Sequence, residues 1–380
     1  MVALLLDGPR RPKLFVVRPA IAYTQFVCCN FLSVKAHMNR LPNTGAPRRA
    51  LGWLLWSPWS LCCMALAGPL AGPARASDVS VYGYLDLGLV KEGGAAARLD
   101  RGLNNWLGVR GAEELGGGAK ATFNLQLRFN PDSGMQERSS TLFQGESTLG
   151  LQSAGLGHLR LGRALTPLWQ EKWRYDPWYD SGFMGSLESY NGDFDSDGLP
   201  SADFHNYSRA GNSVFYTSPG MAGFSVNGMA EIERAPGAPV RARGLALAYA
   251  GAAATALLAY EKNHRSDVIW YGAASWRIES LSVIGAYSRT DSRPDSSMPP
   301  APQRRSALLA ATYALGGDTV RAGYGRLRDG GGGGGGHKAS VGYKHALSKR
   351  SNLYGDLYRE RGAAGVNAVN GMALGLNHTF

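Results

Sequence analysis

Cysteine is the first thing the chain runs out of. All four, Cys28, Cys29, Cys62 and Cys63, lie within the first 63 residues, so the remainder holds neither a disulfide framework nor a thiolate metal site. Charge imbalance is also missing once the amino-terminal segment is set aside. The 380 residues carry a formal net charge of +11. Residues 1–76 hold nine of the 40 basic residues and one of the 29 acids, which leaves 31 basic and 28 acidic residues, a balance of about +3. No basic stripe remains to neutralise phosphates, and nucleic-acid binding loses its main support. Histidine is sparse. His37 lies in the first segment, and His158, His205, His264, His337, His345 and His378 have no nucleophile motif beside them. That gives no Ser/His/acid constellation for a hydrolase, and no cofactor motif is present.

What the first 76 residues do contain is a graded pattern. Arg48 and Arg49 precede the apolar run "LGWLLWSPWSLCCMALAGPLAG", and "PARA" ends at Ala76. A basic start, an apolar middle and an A-x-A exit predict a cleaved secretory signal. Two prolines in the run argue against a membrane-spanning helix. Residues before Met38 read as an over-long start, with Met38 the expected true one. The domain reading is therefore a leader over 1–76, with the signal at about 38–76, and a single domain over 77–380.

That domain has no helical period; it alternates. "SVYGYLDLGLV" sets Val81, Leu85, Leu87 and Leu89 against Ser80, Tyr82, Tyr84 and Asp86. "KATFNLQLRF" and "SNLYGDLYRE" do the same, the latter with Leu353 and Leu357 against Tyr354, Asp356 and Tyr358. Period two with one apolar face predicts strands with one side away from water. About sixteen such runs follow one another, and the connections alternate between short ("AGLG", "ES", "LSK") and long, the longest from Ala164 to Gly211. Loop length segregated by parity and an even strand count describe a transmembrane β-barrel. The stretch "GLALAYAGAAATALLAY", 244–260, is apolar on both faces. It is short for a membrane helix; Gly251 suits a hairpin turn, and small residues on both faces suit packing against a neighbouring subunit. "GGGGGGG", 330–336, is a flexible loop by composition.

"NGDFDSDGLP", from Asn191 to Pro200, carries chemistry of a different kind. Asp193, Asp195, Asp197 and Gly198 open like a calcium loop. An EF-hand needs a bidentate Glu at position 12, where Phe204 stands, and Pro200 interrupts the exiting helix. What remains is an acidic loop, with weak calcium contact at Asp193, Asp195 and Asp197 as the metal alternative. If the stretch is extended, all three carboxylates project to one side.

"WLGVRGAEELGGGAKATFNLQ", "LGHLRLGRALTP", "NSVFYTSP", "YKHALSKRSNLYG" and "GMALGLNHTF" resemble, in order and spacing, hairpins and strands of the general diffusion porins of Gram-negative outer membranes. The resemblance covers Ser77 to Phe380. It implies an all-β fold, a 16-stranded antiparallel barrel with an inward-folded long third loop, a homotrimer in the outer membrane, and passive diffusion of ions and small hydrophilic solutes without a cofactor. It also implies a constriction in which loop acids (Glu188, Asp193, Asp195, Asp197) face wall arginines. Arg110, Arg128, Arg160 and Arg321 fall on lumen-facing positions by parity. Arg163, in "LGR", matches the family's constriction arginine although alternation points it outward, which a bulge would resolve. Phe380 is the aromatic carboxy terminus expected to act as an assembly signal for the insertion machinery. Two departures stand out. Phe215 replaces a basic residue before the strand-six Tyr, and the long loop is crowded with aromatics: Trp169, Trp173, Tyr175, Trp178, Tyr179, Phe183, Tyr190 and Phe194. Most are expected to pack the loop; the rest leave open a channel preferring sugars or aromatic solutes. A barrel enzyme or a calcium-dependent adhesive barrel is the remaining alternative.

Overall fold

The computed structural model describes residues 78–138, 141–196, 208–234, 237–292, 303–330, 334–362 and 367–380. The leader and Asp197 lie outside these. Within them the alternating runs form strands: β1 (Asp78–Glu92), β2 (Arg98–Arg101), β3 (Asn105–Gly116), β4 (Ala119–Phe129), β5 (Glu146–Ser153), β6 (Gly157–Leu165), β7 (Arg209–Thr217), β8 (Phe224–Glu231) and β9 (Arg243–Ala250) in the first half. The second half adds β10 (Ala254–Lys262), β11 (Val268–Ile278), β12 (Leu281–Asp291), β13 (Gln303–Leu315), β14 (Asp318–Asp329), β15 (Gly335–Ala346), β16 (Ser351–Arg361) and β17 (Val369–Thr379).

From β3 onward each strand pairs antiparallel with the next, and β1 pairs with β17 from Tyr84↔Thr379 to Glu92↔Gly371, which closes the sheet. β2 and β3 both pair with β1, β2 through Leu89↔Leu99 and β3 through Val81↔Val109. They are one interrupted strand, so the barrel has sixteen. The interruption has a local cause. At 102–104 the ladder gives way to Asp86, whose Oδ2 accepts the Leu103 N–H at 2.7 Å while its backbone O accepts from Gly102. Sequence reading missed β2 because "RLDR" shows too little alternation to register.

Burial follows the alternation inside out. Leu85, Leu89, Leu353, Leu357, Leu374 and Leu376 are exposed, while Tyr84, Asp86, Tyr354, Asp356 and Asn377 on the opposite face are buried. A water-soluble protein of this size does not present such a continuous apolar surface.

The 166–196 segment follows β6. It contains α1 (Pro167–Lys172) and 3-10 turns at Trp173–Tyr175, Phe183–Gly185 and Glu188–Tyr190. Pro167 starts α1, where its missing N–H costs nothing. The main hydrophobic cluster joins Leu168, Trp169, Tyr175, Trp178, Leu187 and Phe194 of this segment to Ala246, Ala248, Leu257, Ala259, Ile269 and Ile284 of the wall. The hairpin expected over 244–260 is present. The stretch is the β9–β10 hairpin, and the face with the alanines is apolar because α1 packs on it, while Leu245, Leu247 and Leu258 occupy the exposed face. A neighbouring subunit is not needed to explain the inner alanines.

Candidate functional site

The segment is tied to the wall by charged groups at its middle and where its two ends come together. Toward its middle, Arg321 of β14 is 1% exposed. Its guanidinium meets Asp356 of β16 at 3.0 Å, Ser181 Oγ at 2.9 Å and the carbonyl of Pro177 at 3.3 Å, and lies over the Trp178 ring. Trp178 donates its indole N–H to the same Asp356 carboxylate. Asp180 pairs with Lys344 of β15 and stands 3.6 Å from Arg321. Asp86 of β1 accepts from Tyr354 OH at 2.7 Å and from the Gly182 N–H at 3.2 Å, and Tyr84 OH donates to the Asp180 carbonyl. Gly182 adopts φ 75°, a region where a side chain is strained, and a Cβ there would collide with the Asp356 carboxylate.

At the other end, Glu261 of β10 accepts the Leu168 N–H at 2.9 Å and the Ser196 hydroxyl at 2.6 Å. It thereby satisfies an orphan donor of the first turn of α1. Lys172 is the last residue of α1. Its Nζ donates to the carbonyls of Asn191 and Gly192 and sits 3.4 Å above the Trp169 ring. Burial pulls its ammonium down to about 8, against the opposing pull of Glu188, Asp193 and Asp176. Burial likewise raises Asp193, with Lys172 and Arg304 acting the other way. Asp176 is raised by burial, offset by its bonds from Ser186 Oγ and the Trp178 and Leu187 N–H groups. Tyr271 OH donates to Asn191, the Gly192 N–H to Ser306, and Tyr190 OH to Glu360.

A polar cleft lies on the arc formed by β1 and β3–β6. It is lined by Asp78, Ser80, Arg110, Asn124, Glu146 and Arg160, among others. Arg160 pairs with Glu146 at 2.9 Å, reaches Gln170 of α1 at 3.1 Å and lies over the Phe215 ring. The departure at Phe215 is thus a platform for a cation. Arg110 is exposed, reaches the Ser80 hydroxyl at 3.4 Å and lies over Tyr82.

Set against the expected constriction, the residues divide. Arg110 and Arg160 meet in the cleft. Arg128 is buried and 3.8 Å from Glu137. Arg163 donates from Nε to the Gln144 carbonyl at 3.2 Å. A register shift does fall beside it, between Gly162 and Ala164 opposite β7. Two sets of contacts bear on the expected pairing of loop acids with wall arginines. Arg321 is engaged by Asp356 and Asp180, because it anchors the segment. The cations acting on Asp193 are Lys172 and Arg304, neither of them among the five expected arginines. Glu188 is half-buried near Lys172, and Asp195, also half-buried, receives Asn263 Nδ2 on its carbonyl at 2.8 Å. Six of the aromatics are drawn against the wall, and Tyr179 and Phe183 remain exposed. Asp86, Glu261, Asp356 and Lys172 were missed as site residues. Asp86 and Asp356 signalled themselves only as acids at mid-strand on a polar face, and Glu261 and Lys172 gave no comparable signal.

A family model described as Gram-negative porin matches residues 61–365. Outer membrane porin protein 32 of Delftia acidovorans is 28% identical over 362 residues, covering 84% of this chain and 99% of that protein. Among solved structures, an anion-selective porin from Comamonas acidovorans superposes with a TM-score of 0.68 at 24% identity, over 80% of this chain and all of that one. The trimer form of OmpT from Vibrio cholerae superposes with a TM-score of 0.60 at 12% identity, over 80% of this chain.

Proposed function

The chain belongs to the Gram-negative porin family, and on that premise we propose that its outer-membrane channel conducts along one side of the lumen, with a preference for anions. The 166–196 segment contacts β8–β17 and the middle of β1, and touches β6 only where α1 begins and at Arg160. We read it as folded inward against that arc, leaving the lane beside β3–β6. The observation that carries the preference is the fate of the charges. Asp176, Asp180 and Asp193 are engaged by hydrogen bonds or cations that hold the segment, whereas exposed Arg110 faces the cleft with, among the described residues, a serine hydroxyl as hydrogen-bond partner and no ion pair. Selectivity follows the summed field at the narrowest ring, so a wall arginine outside any ion pair weighs more than loop acids already engaged, even with Asp78 on the same cleft. Glu188 and Asp195 are the loop carboxylates that remain candidates for the opposing side. Weak calcium contact would fall on the same acidic stretch.

The reading extends to a homotrimer, a signal removed after Ala76, and Phe380 as the signal for the insertion machinery, with no catalytic chemistry. Reversal potential and single-channel conductance in planar bilayers under a salt gradient test it. A preference for the cation would overturn the lane assigned to Arg110 and Arg160.

A further inference from the structure

A second cleft lies between β3–β4 and the long segment. Trp106 of β3 and Arg128 of β4 stand opposite each other in register there, and Leu165, Trp173, Tyr179 and Arg209 also line it.

Its aromatic side comes from both wall and segment. Trp106 stacks on Tyr84 with ring centroids 4.7 Å apart and is still partly exposed. Tyr84 in turn donates to the carbonyl of Asp180, the residue after Tyr179. That bond fixes the spacing of strand and segment across the cleft. Trp173 is backed by Trp169 and the hydrophobic cluster, whereas Tyr179 stands outside that cluster, half exposed.

The cationic side is held as firmly. Arg209 donates from Nε to the Gly145 carbonyl at 2.7 Å and from Nη1 to Ser208 Oγ at 2.8 Å. Arg128 is 3.8 Å from Glu137, a carboxylate that Arg101 also engages. Both guanidiniums are buried, so little of their orientation remains to be fixed when a ligand arrives. Among the described residues lining the cleft, none is acidic.

The two sides select different chemistry. Aromatic side chains favour a second ring, stacked or edge-on. A guanidinium favours a planar carboxylate, which it meets with two parallel N–H groups. A neutral ring uses only the first side, and an aliphatic acid only the second. The cleft encloses about 230 Å³. A dry cavity of about 150 Å³ holds benzene, so one ring with one carboxylate fits. We propose that this cleft, on the β3–β4 margin of the conducting lane, binds single-ring aromatic carboxylates. The proposal rests on the channel reading above and adds a substrate class to its anion preference.

The test is block of single-channel current in potassium chloride by benzoate, cyclohexanecarboxylate and benzamide. Benzoate carries ring and charge; each of the others lacks one. In the wild type, half-block should need roughly tenfold less benzoate than cyclohexanecarboxylate or benzamide. Trp106→Leu with Tyr179→Leu should bring benzoate and cyclohexanecarboxylate within about twofold of each other. A wild-type channel that does not distinguish those two acids overturns the proposal, whether or not the variant folds. So does equal block by benzamide, and so does a ratio that survives in the variant. Reversal potential in the same membranes judges the lane separately. A cation-preferring channel that still selects benzoate refutes the lane and keeps the cleft; an anion-preferring channel blind to the ring does the reverse.

Discussion

Trp178 donates its indole N–H to the Asp356 carboxylate at 2.8 Å, joining the long segment to β16. Arg321 holds the same carboxylate from β14. One acid thus fixes both a tryptophan and the closest ion-pair partner of a buried cation. Removing one partner of a buried pair typically costs about 3–5 kcal/mol because the other is stranded.

Asp356→Ala is therefore expected to loosen the segment without dissolving the barrel, whose ladders do not involve that side chain. Single-channel recordings should show larger and noisier conductance. A quiet, wild-type trace would mean that Arg321 and Trp178 are not the segment's anchor.

Gly182→Ala acts at the same place through the backbone. A residue held at φ 75° with its Cβ against Asp356 costs of order 1–3 kcal/mol. The segment should become the first site of limited proteolysis while heat-modifiability of the barrel is retained. Cleavage unchanged in rate would count against the geometry.

Lys172 gives the segment a pH response. Burial lowers its ammonium to about 8 from 10.5, so between those values the unfolded chain binds more protons than the folded one. Stability then rises with pH across this window and is flat, for this group, below it. Protease resistance of the segment should increase from about pH 8 to about pH 10.5, and Lys172→Met should abolish the increase. Resistance that falls over the window in the wild type alone reverses the sign and refutes the assignment.

Arg110→Gln with Arg160→Gln should move the reversal potential toward cations. Asp193→Asn, by contrast, should leave it nearly fixed, since that carboxylate is offset by Lys172 and Arg304. The opposite ranking would restore the acidic stretch as the determinant of selectivity.

Phe380 exchanges two backbone hydrogen bonds with Gly83, and its ring lies on the exposed face beside His378. Deleting it removes both bonds, at about 1 kcal/mol each, whereas Phe380→Ala keeps them. Equal loss of folded yield in both variants identifies the ring as the signal; loss only in the deletion identifies seam closure.

The barrel was legible because period two survives over eight to thirteen residues in nearly every strand, and register follows from it. The inner wall was harder. Asp86 and Asp356 announce themselves as polar-face acids, but nothing local says that Gly182 or Trp178 will meet them. Ala246, Ala248 and Leu257 look lipid-facing because α1 packs on their face and makes it an ordinary hydrophobic core. Asp193, Asp195 and Asp197 drew attention by spacing. Lys172, whose charge acts on the first of them, carries no spacing signal at all.

The pairing of β1 with β17 has a kinetic consequence. On one side, nine residues of the first strand find their partners in the last. Until that ladder forms, the sheet has two free margins whose amides and carbonyls have nothing to bond with in hydrocarbon. Once it forms, parting the barrel there requires the whole row to open together. The finished molecule is thus slow to come apart for the same reason that it is slow to assemble.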